Sequence, residues 1–287
     1  MRVLDLSMPI WEGAGYGEVL PMPNLPVSFT EYMTYDWHGL RRTQIKIDDE
    51  SGSPFMTIWQ RSPHISDPIE DGGIYEWRLD EVPLDRLIMR PTVILDVPAS
   101  GDYALTAEDI DRAVAEADYQ DGDEVLLRTG WGTRMRAYEM GERYVLEGPG
   151  WGYESCIRMG EVMRERHSAI LMTDAPLIMT ALYQGWGWSA GPERIVPRPK
   201  PWPSTEARER LLDLPEVPAT KTPQPPRPAE LGKGGYRDLI KSTIAICKCL
   251  VGADEIRSKR VDMIMMPMLV RRGGASPCRF FAVERDE

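Results

Sequence analysis

The chain has 287 residues, with 34 basic against 45 acidic side chains and a formal net charge of −11. That length holds one large domain with a substantial core. An acidic balance with scattered basic residues repels phosphate backbones and argues against nucleic acid as a partner, and no segment approaches the roughly 20 apolar residues of a membrane span.

The first residues, VLDLSMPI at 3–10, read as a strand and lack the apolar core of a secretory leader. Further strands are predicted at TQIKID (43–48), TVILDV (92–97), EVLLRT (124–129), SAILMT (168–173), DMIMMPML (262–269) and CRFFAV (278–283). They are short apolar runs rich in Val, Ile and Leu. Helical patterns lie between them. In LTAEDIDRAVAEA (105–117), Thr106 is the expected N-cap, Asp109 stands three residues on, and Ile110, Val114 and Ala117 share a face. YESCIRMGEVMRER (153–166) offers Ile157, Val162 and Met163 to a core. Strands alternating with helices predict an α/β domain with a mixed central sheet.

Residues 191–229 depart from this, carrying eleven of the 25 prolines, so they cannot be sheet interior. With YQGWGWSAG just before them, they define a Gly/Trp- and Pro-rich insertion at 184–232 within a single domain spanning 1–287. The insertion reads either as an extended surface excursion or as a lid or arm reaching a second subunit. Cys156, Cys247, Cys249 and Cys278 are too sparse for a disulfide framework, so a reducing cytoplasm is the expected setting. The pair in CKC (247–249) reads as packing thiols, with a soft-metal site as the alternative.

Nine blocks in order carry a family resemblance: DLSMPI, SPHISDPIEDGG, VILDVPA, LTAEDID, GDEVLLRTGW, GPGWGYES, ILMTDAP, IAICKCLVGADEI and GGASPCRFFAV. The chain resembles the cyclase family that includes bacterial kynurenine formamidase and isatin hydrolase. The resemblance implies a swivelling β/β/α fold, a homodimer or higher homo-oligomer with sites near subunit contacts, and a zinc- or manganese-dependent hydrolase of small amides or lactams. It also implies a signature His-x-Gly-Thr-His-x-Asp-x-Pro-x-His, with a later histidine and glutamate completing the metal site.

Anchored on Pro68, that signature meets QRSPHISDPIE at 60–70. Gln60 replaces the first histidine, His64 keeps the second, and Ser66 replaces the aspartate, with Asp67 displaced by one. Glu70 replaces the last histidine. The later glutamate falls on Lys248 and the later histidine on Tyr236. An ammonium has no lone pair for a metal and repels a dication. The expectation is therefore no metal cofactor. A rebuilt zinc or manganese site on His64, Asp67 and Glu70, with Asp174, is the alternative.

In the metal's place, Lys248 and Tyr236 would hold negative charge developing on a substrate carbonyl. Glu70 would move the proton and His64 would shuttle it or orient Glu70. Gln60, Ser66, His38, Trp186 and Trp188 are the expected substrate-binding residues, and the substrate a small cyclic or aromatic carbonyl compound. Cyclisation, isomerisation or elimination suits such a set better than hydrolysis. The structural alternative is a Lys248–Glu70 ion pair filling the vacated hole in a non-catalytic binding protein. His167, after a charged helix end, reads as a partner of the helix dipole.

Overall fold

The computed structural model describes residues 1–11, 27–57, 77–101, 103–140, 144, 148–176, 239 and 243–285. Its elements in chain order are β1 (Arg2–Asp5), β2 (Ser28–Met33), α1 (Tyr35–His38), β3 (Arg42–Lys46), β4 (Pro54–Thr57), β5 (Arg90–Asp96) and β6 (Ala104–Leu105). There follow α2 (Ala107–Glu116), β7 (Glu124–Arg128), α3 (Arg134–Met140), β8 (Gly150–Trp151), α4 (Tyr153–Glu165) and β9 (Ile170–Thr173). β10 (Ala245–Cys247), β11 (Arg260–Pro267) and β12 (Ala275–Glu284) end the chain.

Eight strands form one mixed sheet in the order β1-β12-β11-β5-β7-β9-β10-β4, and β12 also pairs with β4. This last pairing closes the sheet into a barrel. β12 does double duty along its length: Ala275–Pro277 pair with β4 and Phe281–Glu284 with β1. β5, β7, β9 and β10 run parallel, whereas β4, β11 and β12 are antiparallel to their neighbours.

The parallel strands are apolar on both faces because both are covered. Ile94, Leu126, Met172 and Cys247 join Phe55, Met263 and Phe280 in one core cluster. The alternate residues Val93, Leu95, Val125, Leu127, Leu171 and Ile246 pack against α2 and α4. In α2 the predicted cap is a reciprocal capping box. The Asp109 N–H donates to Thr106 Oγ1 (3.2 Å) and the Thr106 N–H donates to Asp109 Oδ2 (3.0 Å), an arrangement worth about 1 kcal/mol. In α4 the buried face is Cys156, Met159, Val162 and Met163, and Ile157 is only half-buried. Val162 and Met163 are thus core residues as predicted, while Cys156 and Met159 take the place expected for Ile157.

The residues TQIKID do form a strand, but outside the barrel. Among the described residues β3 pairs with β2 alone, in a two-stranded ribbon whose turn is α1. At the amino ends of β7 and β9 a buried Glu124 fastens the scaffold. It accepts from the N–H groups of Ala169 (2.8 Å) and Ile170 (2.6 Å) and from Arg90 (3.0 Å). The insertion at 184–232 lies outside the described residues.

Candidate active site

In α/β sheets, ligands gather where parallel strands end at their carboxyl termini. Here that rim holds the ends of β5, β7, β9 and β10. Lys248 stands one residue beyond β10. Its ammonium lies 2.7 Å from a carboxylate oxygen of Glu50, and both side chains are 15% exposed.

The partner comes from a tight turn before β4. The Glu50 N–H donates to Asp48 Oδ1 (3.0 Å), the Asp48 N–H to Ser51 Oγ (3.0 Å), and the Ser51 N–H to the Asp48 carbonyl (3.1 Å). Ser53 ties this turn to the Lys248 segment: its hydroxyl donates to the Cys249 carbonyl (2.7 Å) and accepts from the Met8 N–H (2.8 Å). Gly52 has φ +73°, and a Cβ there would lie 3.0 Å from Ile10 and 3.2 Å from the Met8 carbonyl oxygen. Glycine is therefore needed for both conformation and space.

Two residues beyond β10, Cys249 lies in the left-handed region, with φ 59°. This is an uncommon conformation for a residue with a side chain, and it turns the chain just after Lys248. Burial pushes the Cys249 thiol up to about 12, with the Lys248 charge opposing and that of Glu50 reinforcing the shift. Cys247 is likewise buried and held as a thiol by burial. Both cysteines of CKC are thus packing groups. Partial burial, then the Asp48 carboxyl and the Glu50 charge, raise Asp49 to about 6.

Asp174, at the end of β9, is enclosed by the 129–132 loop. The N–H (2.7 Å) and hydroxyl (2.7 Å) of Thr129 donate to one oxygen, and the N–H groups of Gly130 (2.9 Å) and Gly132 (3.3 Å) donate to the other. Burial pushes this carboxyl up, against the pull of those donors. With its lone pairs so engaged, Asp174 serves as a structural clasp between β7 and β9.

His38 lies on α1 at the tip of the ribbon. It is exposed, and its Nδ1 accepts from the Thr34 N–H (3.1 Å). His167 pairs with Asp121 (2.7 Å) on the surface after α4. Gln60, His64, Ser66, Asp67, Glu70, Trp186, Trp188 and Tyr236 lie outside the described residues. β4 runs antiparallel to β10, with Phe55 opposite Cys247 and Thr57 opposite Ala245. The Pro54 end of β4 therefore borders Lys248 and its Thr57 end borders Ala245.

A Lys248–Glu70 ion pair is only the structural alternative of the sequence reading, and Glu70 lies outside the described residues; Glu50 is not anticipated. The available signal was the acidic run DDE at 48–50 before Ser-Gly-Ser, but a partner 198 residues away cannot be read locally.

Residues 4–178 match the family model described as "Putative cyclase". The chain belongs to the cyclase family.

Solved structures share the fold of this cyclase-family chain. Isatin hydrolase A from Labrenzia aggregata, bound to benzyl benzoate, is 19% identical over 99% of this chain and 94% of its own, with a TM-score of 0.63. An isatin hydrolase bound to the product analogue thioisatinate is 18% identical over 99% of this chain and 93% of its own, also at 0.63. A protein described as a predicted metal-dependent hydrolase from Bacillus stearothermophilus is 16% identical over 98% of this chain and 97% of its own, at 0.56. No curated protein matches the chain significantly.

Among the described residues, Lys248 occupies a position that the family resemblance gives to a metal ligand, and an ammonium cannot ligate. Lys248 carries an ammonium in an ion pair with Glu50, where the family resemblance places a ligating carboxylate. A dication beside it would meet like charge and a side chain without a lone pair. Among the described residues no group of three or more His, Cys, Asp and Glu side chains is placed to hold a metal ion. No described helix is long and apolar enough to cross a membrane.

Proposed function

We propose that this cyclase-family protein is an enzyme that acts on a small cyclic or aromatic carbonyl compound by acid–base catalysis, without a metal. The observation that carries this reading is the Lys248 ammonium, mostly buried and braced by Glu50 at the carboxyl rim of the parallel strands. A fixed cation in a partly dry site stabilises an oxyanion or enolate as it forms on a carbonyl oxygen. It does not lower the pKa of a bound water as a metal does. Cyclisation, isomerisation or elimination therefore suits it better than hydrolysis.

In this reading Glu70 moves the proton, His64 orients it or shuttles a proton, and Tyr236 donates to the developing oxyanion. Gln60, Ser66, His38, Trp186 and Trp188 contact the substrate. The enzyme works as a homodimer or higher homo-oligomer in the cytoplasm, with residues 184–232 as lid or arm. Support for a small aromatic substrate comes from the isatin hydrolases of the same fold, which were solved with benzyl benzoate and thioisatinate bound.

The competing reading is a metal-dependent hydrolase of an amide, lactam or lactone, favoured by the description of two structural neighbours as metal-dependent hydrolases. Elemental analysis of protein purified without chelator separates the two. Substoichiometric zinc and manganese, with turnover lost in Lys248→Ala, is the expected result. Near-stoichiometric metal that disappears in His64→Ala, with turnover surviving Lys248→Ala, overturns the proposal.

A further inference from the structure

Lys248 and Glu50 meet across 198 residues of sequence, yet neither segment is free to drift. β4 and β10 are paired through Phe55 and Cys247. Ser53 bonds the carbonyl next to Lys248, and Gly52 is wedged against Ile10 and the Met8 carbonyl. The carboxylate is itself mounted on a fixed backbone, because Asp48 receives the Glu50 N–H and Ser51 closes the turn beneath it. Asp48 and Asp49 add two further carboxyl groups in the same turn. On the lysine's own segment the neighbouring titratable groups are the buried Cys247 and Cys249 thiols. At the end of β9 the group is Asp174, whose carboxylate faces the donors of residues 129–132.

An ammonium that is mostly buried needs a counter-charge, or it moves toward water or sheds its proton. The turn at 48–51 supplies that counter-charge in a preformed position. An ammonium has three N–H donors, and Glu50 takes one along a fixed direction. We infer that Glu50 is the positioning residue of Lys248: the Asp48–Ser51 turn presents its carboxylate so that the ammonium stays charged and keeps its aim. This inference rests on the proposed role of Lys248 and deepens it, because nothing in the family signature places a carboxylate at Glu50.

The test reads Lys248 directly. The full-length protein is acylated with trace acetic anhydride from neutral to alkaline pH, and the fraction of acetyl-Lys248 is measured by mass spectrometry. In Glu50→Gln the Lys248 labelling rate at neutral pH should rise about tenfold, the equivalent of one pKa unit of lost charge stabilisation. Glu50→Asp should restore most of the native protection. Asp48→Asn, which leaves the ion pair but loosens its mount, should fall between. Should Glu50→Gln fail to fold, an elevated rate in Asp48→Asn carries the test alone.

A native labelling rate in folded Glu50→Gln, or in Asp48→Asn where Glu50→Gln does not fold, overturns the inference. The readout needs no turnover. Elevated labelling alongside full activity of Lys248→Ala would sink the catalytic role of the lysine while leaving Glu50 as its anchor.

Discussion

Glu284 closes β12 and shows how single carboxylates fasten this molecule. It accepts from the N–H groups of Arg257 (2.6 Å) and Ser258 (2.9 Å) and from Arg2 (3.2 Å). Burial pushes its carboxyl up, but the N–H groups of Ser258 and Arg257 and the Arg2 guanidinium outweigh that and hold it below its ordinary value of 4.5. A depressed value means that the unfolded chain binds the proton more readily. The stabilisation is therefore complete above pH 4.5 and is lost as pH falls through the folded value. Glu284→Gln should lower the unfolding free energy by about 2 kcal/mol at neutral pH. Urea titrations of mutant and native protein should converge in acid. Such roles are poorly legible in sequence, because a carboxylate shows its charge and not its donors. Asp174 reads in sequence as a spare metal ligand for that reason, yet four donors surround it.

Among the elements, those whose own residues determine them were the easiest to read. α2 announces itself through Thr106 and Asp109, and the long runs at β5, β7, β11 and β12 through unbroken apolar character. β4 and β10 escaped notice. They have four and three residues, the first opening on Pro54, and they exist as strands because neighbours on both sides pair with them. The β2–β3 ribbon poses the opposite problem. The residues of β3 read as an ordinary strand and those of β2 do not, but the ribbon lies outside the main sheet and exposes Tyr32, Tyr35, Trp37 and Ile45, with Tyr35 and Trp37 at 70% and 87%. An isolated two-stranded ribbon is marginal in water, and apolar surface of this kind marks a contact. Under the proposed homo-oligomer, Tyr35→Ser with Trp37→Ser should lower the mass measured by light scattering to that of one chain. An unchanged mass would assign the subunit contact elsewhere.

On the scale of the whole molecule, membership of the cyclase family was legible because blocks spread over the chain keep their order even where the signature's ligands are exchanged. Closure of the barrel was not, since it depends on β12 meeting β4 with one half and β1 with the other. A consequence follows for the four cysteines. Cys156, Cys247, Cys249 and Cys278 are all reduced and all buried, and burial drives every thiol upward, Cys156 to about 12. They are distributed between the helical layer, the barrel interior and the packing beneath the rim. An alkylating dye added to native protein should find no thiolate, and modification should proceed only as fast as the chain opens. Simultaneous reaction of all four would mean that the wall, its lining and its outer cover come apart as one unit. Early capture of Cys249 alone would identify the rim as the first part to breathe.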